Sequence, residues 1–498
     1  MNRPAPLRAF LCSLPAAYLL LVIVPVLASY GLWFDEIFSV VMSRSLDSIV
    51  QMVRAQENNM LLHYLLLWGW QPLGDGSEVF LRSSSVLLVL LSLWPLYAAL
   101  RRVSCGVAAQ AGCLFYVSHY LVLQAAMACR GYSLALLCSA LVMWRWVVAW
   151  QSSRQRDWWW CGALAGLAVW SHYFAALVPP VLLLAMWWRD GWRQPWRGLA
   201  TALAAFVLVA LPIVLTRPPD GAAQIGWAEV PDWRSVAGTV SMLAGSDGPN
   251  ETALLKLLSL VLLAVALWRW RHCGSAQPWS SLPAGVAVGL LLAVVAVLLE
   301  SLVGQPLFVY RFFTPLVPLL ALVVGAALAL CAPLWRTLML ASLLLLSLYE
   351  TWKPFVVEPV PLRYWWKPLA RQLCQQSQPD DVILVYPSFL AMPLAYYLDD
   401  CDPQHALPRP AEYASVPYRQ GGGVEPAPDW QRLQQLAATG GRVWLVADEK
   451  PIPAWPRLNR IHAPQIRGQL LQQRALAHEQ RYSTMTIQRF DPQGQAGR

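Results

Sequence analysis

Two adjacent carboxylates, Asp35 and Glu36, stand in the stretch GLWFDEIFSV (31–40), directly after an apolar run from about Leu11 to Tyr30. An acid pair where a greasy segment ends meets water. It can cap and charge the helix that follows, or it can do proton chemistry. Two arginines, Arg130 and Arg311, occur where a polar turn meets an apolar run. A guanidinium at such a boundary is costly without a partner. A phosphate, gripped by two parallel hydrogen bonds, is one candidate partner; a salt bridge, Arg311 to Glu300 for example, is the other. Tyr132 and Tyr310 lie beside these arginines and offer hydroxyls, although Tyr at a membrane boundary also serves as a belt residue. Glu57, His63 and His172 combine hard and borderline ligands that suit a divalent ion. No spacing enforces that use, and a His at a helix end serves equally as a satisfied boundary residue.

The elements that must position these groups are mostly apolar. Of the 498 residues 57% are hydrophobic and 13% charged, about half the charge of an ordinary soluble domain. Apolar runs of about 16–22 residues recur through the first 350 positions, and a bilayer core needs about 20 per helix. The fold class read from this is a polytopic α-helical membrane protein of about 11 spans. Its net charge of +9 is gathered in Arg101–Arg102, Arg154/Arg156, Arg189/Arg193/Arg197, Arg269/Arg271 and Arg336. Small basic clusters between apolar runs are the positive-inside pattern. No basic stripe interleaved with aromatics is present to grip a nucleic acid. Arg3 and Arg8 ahead of the first run read as a retained signal anchor. The runs DWWWCG and MWWRDGW read as interface anchors.

Alternating the clusters with the runs places the N-terminus in the cytoplasm and span 1 over about 11–30. Residues 31–82 become an outer loop and span 2 covers about 83–100. Hairpins follow over 106–150 and about 158–188, with outer turns near His119–Arg130 and His172. Later spans cover about 198–215, a segment ending at WRWRH, 283–299, 312–331 and 337–350. Residues 1–350 are thus the membrane domain. An odd number of spans leaves 351–498 on the outer side with the carboxylates. There charged residues, Gln and Pro rise, DDVILVYPSF and GRVWLVAD read as buried strands, and 429–438 and 466–479 read as helices. This is a soluble α/β domain. Cys374 and Cys401, the thiols beyond residue 350, are expected to bridge if that domain is periplasmic.

Taken in order, the motifs resemble a family. WFDE (33–36), ENNMLLHYLLLWGW…GDGSEVFLRSSSVL (57–87), ACRGYSLALL (128–137), WSHYFAALV (170–178) and PLFVYRFFTPLVPLLAL (306–322) resemble segments of the GT-C membrane glycosyltransferases. The bacterial branch concerned lies near the protein O-mannosyltransferases and the aminoarabinose and galacturonic acid transferases of lipid A. The chain departs from that pattern where Met60–Leu61 replaces a Pro-Pro pair, where His63 replaces Tyr and where Ala128 replaces an acid.

The resemblance implies an inverting sugar transfer from a polyprenyl-phosphate donor to a lipid, glycan or protein acceptor at the periplasmic face of an inner membrane. Such a reaction needs a base for the acceptor hydroxyl and cations or a metal for the departing phosphate. On that reading Asp35 is the general base and Glu36 positions the acceptor or a metal. Arg130 and Arg311, with Tyr132 and Tyr310, hold the donor phosphate, while Glu57, His63 and His172 are the ligands for a divalent ion. A transporter would place ionisable groups near mid-span in repeated halves, whereas here the acids gather on one face. A non-catalytic membrane scaffold is the third reading, and applies if the site acids are dispensable.

Overall fold

Helices dominate because the apolar runs are long, rich in Leu and Ala, and closed by caps. The computed structural model describes residues 14–28, 31–55, 57–217, 228–247, 282–356, 366–378, 381–386, 390–398, 441–448, 462–482 and 485–493. Helix α1 (Leu14–Ile23) leads into a short 3₁₀ turn. The expected outer loop 31–82 is itself largely helical, with α2 (Phe34–Met42), α3 (Leu46–Ala55) and α4 (Leu61–Trp70). Helix α5 (Glu78–Val103) follows, 26 residues long. Ser77 accepts the Phe80 N–H at its start, Glu78 lies in the first turn, and Arg101 and Arg102 lie in the last turn, each sign complementing the helix dipole.

Helices α6 (Gly106–Ser118) and α7 (Tyr120–Met127) meet at a 58° bend. His119 makes the bend: its Nδ1 accepts the Leu121 N–H while its Nε2 reaches the Leu243 carbonyl at 3.1 Å. Next come α8 (Tyr132–Ser152), α9 (Gln155–Ser171), α10 (Val178–Asp190) and α11 (Trp196–Leu215). Helices α12 (Trp233–Leu243), α13 (Leu282–Val303), α14 (Val317–Leu330) and α15 (Pro333–Val356) complete the bundle. Among the described residues five helices are long and apolar enough to cross a membrane, or six with the bent pair counted as one span. The expected span ending at WRWRH lies outside the described residues. Leu203, Val207, Leu208, Leu211, Val214 and Leu215 of α11 are exposed, a surface suited to lipid.

Helices α6 and α14 pack backbone to backbone through Gly112 and Gly325. A Cβ at Gly325 would lie 2.6 Å from the Ala108 carbonyl oxygen, so only glycine permits the approach, as is common between membrane helices.

The C-terminal elements are α16 (Trp366–Gln376), β1 (Val382–Tyr386), α17 (Ala391–Leu398), β2 (Val443–Asp448), α18 (His462–Gln473), β3 (Arg474–Tyr482) and β4 (Met485–Pro492). The sheet order is β1-β2-β4-β3, with β1 parallel to β2 and the other pairs antiparallel. Both expected strands are present. The helix expected over 466–479 is a correction: it stops at Gln473, and 474–482 pairs with β4 as an edge strand. Ala, Leu, Glu and Gln favour helix there, but ladder pairing overrides propensity. The helix expected over 429–438 lies outside the described residues. Cys374 is disulfide-bonded; Cys401, expected as its partner, also lies outside them.

These elements do not stand apart from the bundle. Leu32, Ile37, Val40, Leu67 and Leu81 share one apolar core with Trp366, Leu369, Leu394, Trp444 and Ile487. The carboxylate-bearing segment and the C-terminal elements are therefore packed together.

Candidate active site

Trp33 is the N-cap of helix α2, so Asp35 is a first-turn residue and not the cap itself. Its carboxylate Oδ2 lies 3.5 Å from a terminal nitrogen of Arg311. Arg311 sits on the 3₁₀ turn Tyr310–Leu316 ahead of α14, with its guanidinium 6.0 Å from the Trp33 ring centroid. The two residues are 276 positions apart. Arg311 thus pairs with Asp35 and not with Glu300.

Arg130 reaches the same turn. One terminal nitrogen donates to the Asp35 carbonyl at 3.2 Å and to Ser39 Oγ at 3.0 Å. The residue is 5% exposed. The turn that carries it is pinned by Ser85 Oγ, which donates to the Ala128 carbonyl, and by the Cys129 N–H, which donates to Glu36. Tyr132 is buried at the start of α8, within electrostatic reach of Arg311, Arg130, Asp35 and Tyr310. Arg311 and Arg130, two of the residues expected to meet the donor phosphate, are therefore brought to the turn that carries Asp35, with Tyr132 nearby.

Glu36 has a different task. Its Oε1 accepts from Arg82 Nε and from the Cys129 N–H, and its Oε2 accepts from another Arg82 nitrogen and the Trp33 N–H. Four donors occupy its lone pairs and it is 1% exposed. These bonds give Glu36 a holding role at the start of α2. Arg82, within GDGSEVFLRSSSVL, carries no separate signal in the sequence. Arg82 also donates to the Leu27 and Gly31 carbonyls, so it binds the chain that enters α2.

Glu57 is buried beside this cluster. Burial pushes its carboxyl up to about 7, with the Arg130 cation pulling the other way and the Asp35 carboxylate adding to the rise. His63 is fully buried on α4, and burial followed by the Arg130 cation lowers it to about 3, so its imidazole is neutral. His172 closes α9, where its Nδ1 accepts the Phe174 N–H and its ring faces Tyr132, Phe174 and Phe312. Among the described residues no group of three or more His, Cys, Asp or Glu is placed to hold a metal ion. Among the described residues Glu57, His63 and His172 do not come together as the expected ligand set.

The segment after Glu57 is tied down where the family pattern has a Pro-Pro pair. Asn58 donates to the Ile213 carbonyl at 2.7 Å and meets the Tyr173 hydroxyl, while Asn59 accepts the Tyr173 N–H. Met60 then takes a left-handed backbone, φ 64°, at the start of α4.

Residues 58–215 match the family model described as dolichyl-phosphate-mannose-protein mannosyltransferase. The structure is similar to that of ArnT from Cupriavidus metallidurans bound to undecaprenyl phosphate, with a TM-score of 0.60 and 16% identity over 96% of this chain and 97% of that one. For the apo state of the same protein the values are 0.62 and 15% over the same shares. Arabinofuranosyltransferase AftD from Mycobacteria is similar at a TM-score of 0.50 and 15% identity, over 99% of this chain and 40% of that one. No curated protein sequence matches. At these identities the likeness speaks for the fold, and the fold is that of the GT-C membrane glycosyltransferases expected from the order of the motifs.

Proposed function

We propose that this chain is an integral membrane glycosyltransferase that moves a monosaccharide from a polyprenyl-phosphate donor to a hydroxyl of a lipid, glycan or protein acceptor. The observation that carries this reading is the 3.5 Å approach of Asp35 to Arg311, with Arg130 bound to the same turn. A carboxylate and two guanidiniums are what the reaction requires. The acceptor oxygen bonds to the anomeric carbon from the face opposite the phosphate, the bond from that carbon to the phosphate oxygen breaks, and the configuration inverts. Asp35 takes the hydroxyl proton. The electron pair leaves on the polyprenyl phosphate, whose charge Arg311 and Arg130 neutralise. A donor phosphate competes with Asp35 for Arg311, so donor binding frees the base.

The donor class draws support from the undecaprenyl phosphate bound by ArnT in the similar structure and from the match to a dolichyl-phosphate-mannose-protein mannosyltransferase model. The basic clusters between apolar runs support an inner-membrane protein with a cytoplasmic N-terminus. The apolar core shared by residues 366–398 and α2 supports a periplasmic placement of both.

Purified protein in lipid vesicles, given an undecaprenyl-phosphate-linked monosaccharide and an envelope lipid extract, should release undecaprenyl phosphate only when the extract is present. Movement of the intact donor across the bilayer without release would contradict the proposal and favour a transporter. Cysteines placed at Asp75 and Gln378 should label from one side of the vesicle and one at Gln151 from the other.

A further inference from the structure

The chain entering α2 is gripped from two directions. From the bundle, Arg82 donates to the Gly31 carbonyl at 2.9 Å, and Glu36 accepts the Trp33 N–H at 3.1 Å. From the C-terminal elements, the Tyr397 hydroxyl of α17 accepts the Leu32 N–H at 2.5 Å. That hydroxyl lies 3.4 Å from Glu78 Oε1, which it can reach as donor, and Lys367 of α16 holds the same oxygen at 2.6 Å. The fit is close, because a Cβ on Gly31 would stand 2.6 Å from the Tyr397 oxygen. Leu32 is fully buried, and a buried N–H without an acceptor is costly. Residues 31–33 have no regular structure of their own, so the entry angle of α2 is set by these contacts.

We infer that Tyr397 is a positioning residue for the catalytic carboxylate: it fixes the backbone at Leu32, three residues before Asp35, and so makes the C-terminal elements part of the catalytic unit. The inference rests on the glycosyltransferase reading for its effect on turnover, but not for its effect on the backbone. Arg82 and Glu36 hold the first turn from below. Among the described residues Tyr397 is the one acceptor on the Leu32 amide, so its loss lets that amide open and the Asp35 carboxylate swing relative to Arg311 and Arg130.

The test uses the full-length protein with Tyr397→Phe, which keeps the ring in the apolar core and removes the acceptor. Hydrogen exchange at the Leu32 amide should quicken by about fivefold, the worth of one modest hydrogen bond. Turnover on an undecaprenyl-phosphate-linked monosaccharide should fall by a similar factor with the donor KM unchanged. In an Asp35→Asn background the same substitution should produce no further loss, because it acts through the carboxylate. Gly31→Ala, which pushes the Tyr397 hydroxyl away, should reproduce both effects and guards against a fault peculiar to Phe. Unchanged exchange at Leu32 in both variants would overturn the inference, as would a full loss of turnover added to that of Asp35→Asn. If Asp35→Asn turned over normally, the glycosyltransferase mechanism would fail, while the exchange measurement would still judge the clamp.

Discussion

Glu36 and Arg82 form a two-point ion pair beneath the first turn of α2, with both nitrogen–oxygen distances at 2.9 Å and both side chains 1% exposed. The pair joins the chain entering α2 to α5, and through the Cys129 N–H it also fixes the turn that carries Arg130. Removing one partner of a sealed pair strands the other, at a cost of about 3–5 kcal/mol. Glu36→Ala should therefore lower the thermal midpoint of the purified protein sharply, and Glu36→Gln, which keeps an acceptor, by less. A Glu36→Ala protein that melts like the wild type would show that the pair does not hold the site.

Arg311 should not be replaceable by Lys. A guanidinium offers a planar fork to a phosphate and an ammonium offers a point charge. Titration of Arg311→Lys with undecaprenyl phosphate should show affinity reduced by about tenfold, within the range of a lost charged hydrogen bond. Equal affinity of the two proteins would remove Arg311 from the phosphate contacts.

Glu57 gives the protein a pH signature. Its folded carboxyl is raised to about 7 from a usual value of 4.5. Between those values the folded chain keeps a proton that the unfolded chain has lost. The stability this contributes is complete below about 4.5 and drains away as pH rises through about 7. Glu57→Gln removes the slope. Denaturation at about pH 5 and about pH 8 should therefore show the variant gaining on the wild type by a few kcal/mol at the higher pH, at about 1.4 kcal/mol per pKa unit. Parallel pH profiles for the two proteins would contradict the buried, proton-holding carboxyl.

Asp35, Arg130 and Arg311 were legible in the sequence because charged residues at the ends of apolar runs are few and costly. Their convergence was not legible, since 276 residues separate the Asp35–Arg311 pair and only helix packing brings it together. Arg82 was hidden by its position at the start of a long apolar helix, where it looks like a boundary charge. The holding bonds of Glu36 were not legible either, because two of its partners, Arg82 and Cys129, come from residues 46 and 93 positions further on. The membrane helices and two strands followed from hydropathy and turn residues. The edge strand over 474–482 did not, because RALAHEQRY lacks the apolar alternation of a strand and its pairing is decided by β4. Inside 31–82 the helix that follows the acid pair was legible, whereas Leu46–Ala55 and Leu61–Trp70 were hidden by the polar residues between them.

On the proposed mechanism Asp35 removes the acceptor proton. Asp35→Asn keeps the shape of the side chain and takes away the base. The direct measurement is sugar transfer by this variant, beside its binding of undecaprenyl phosphate in the same preparation. Transfer should fall by about two to four orders of magnitude, the range of general-base catalysis, with carrier binding retained. Near-normal transfer by Asp35→Asn would contradict the account.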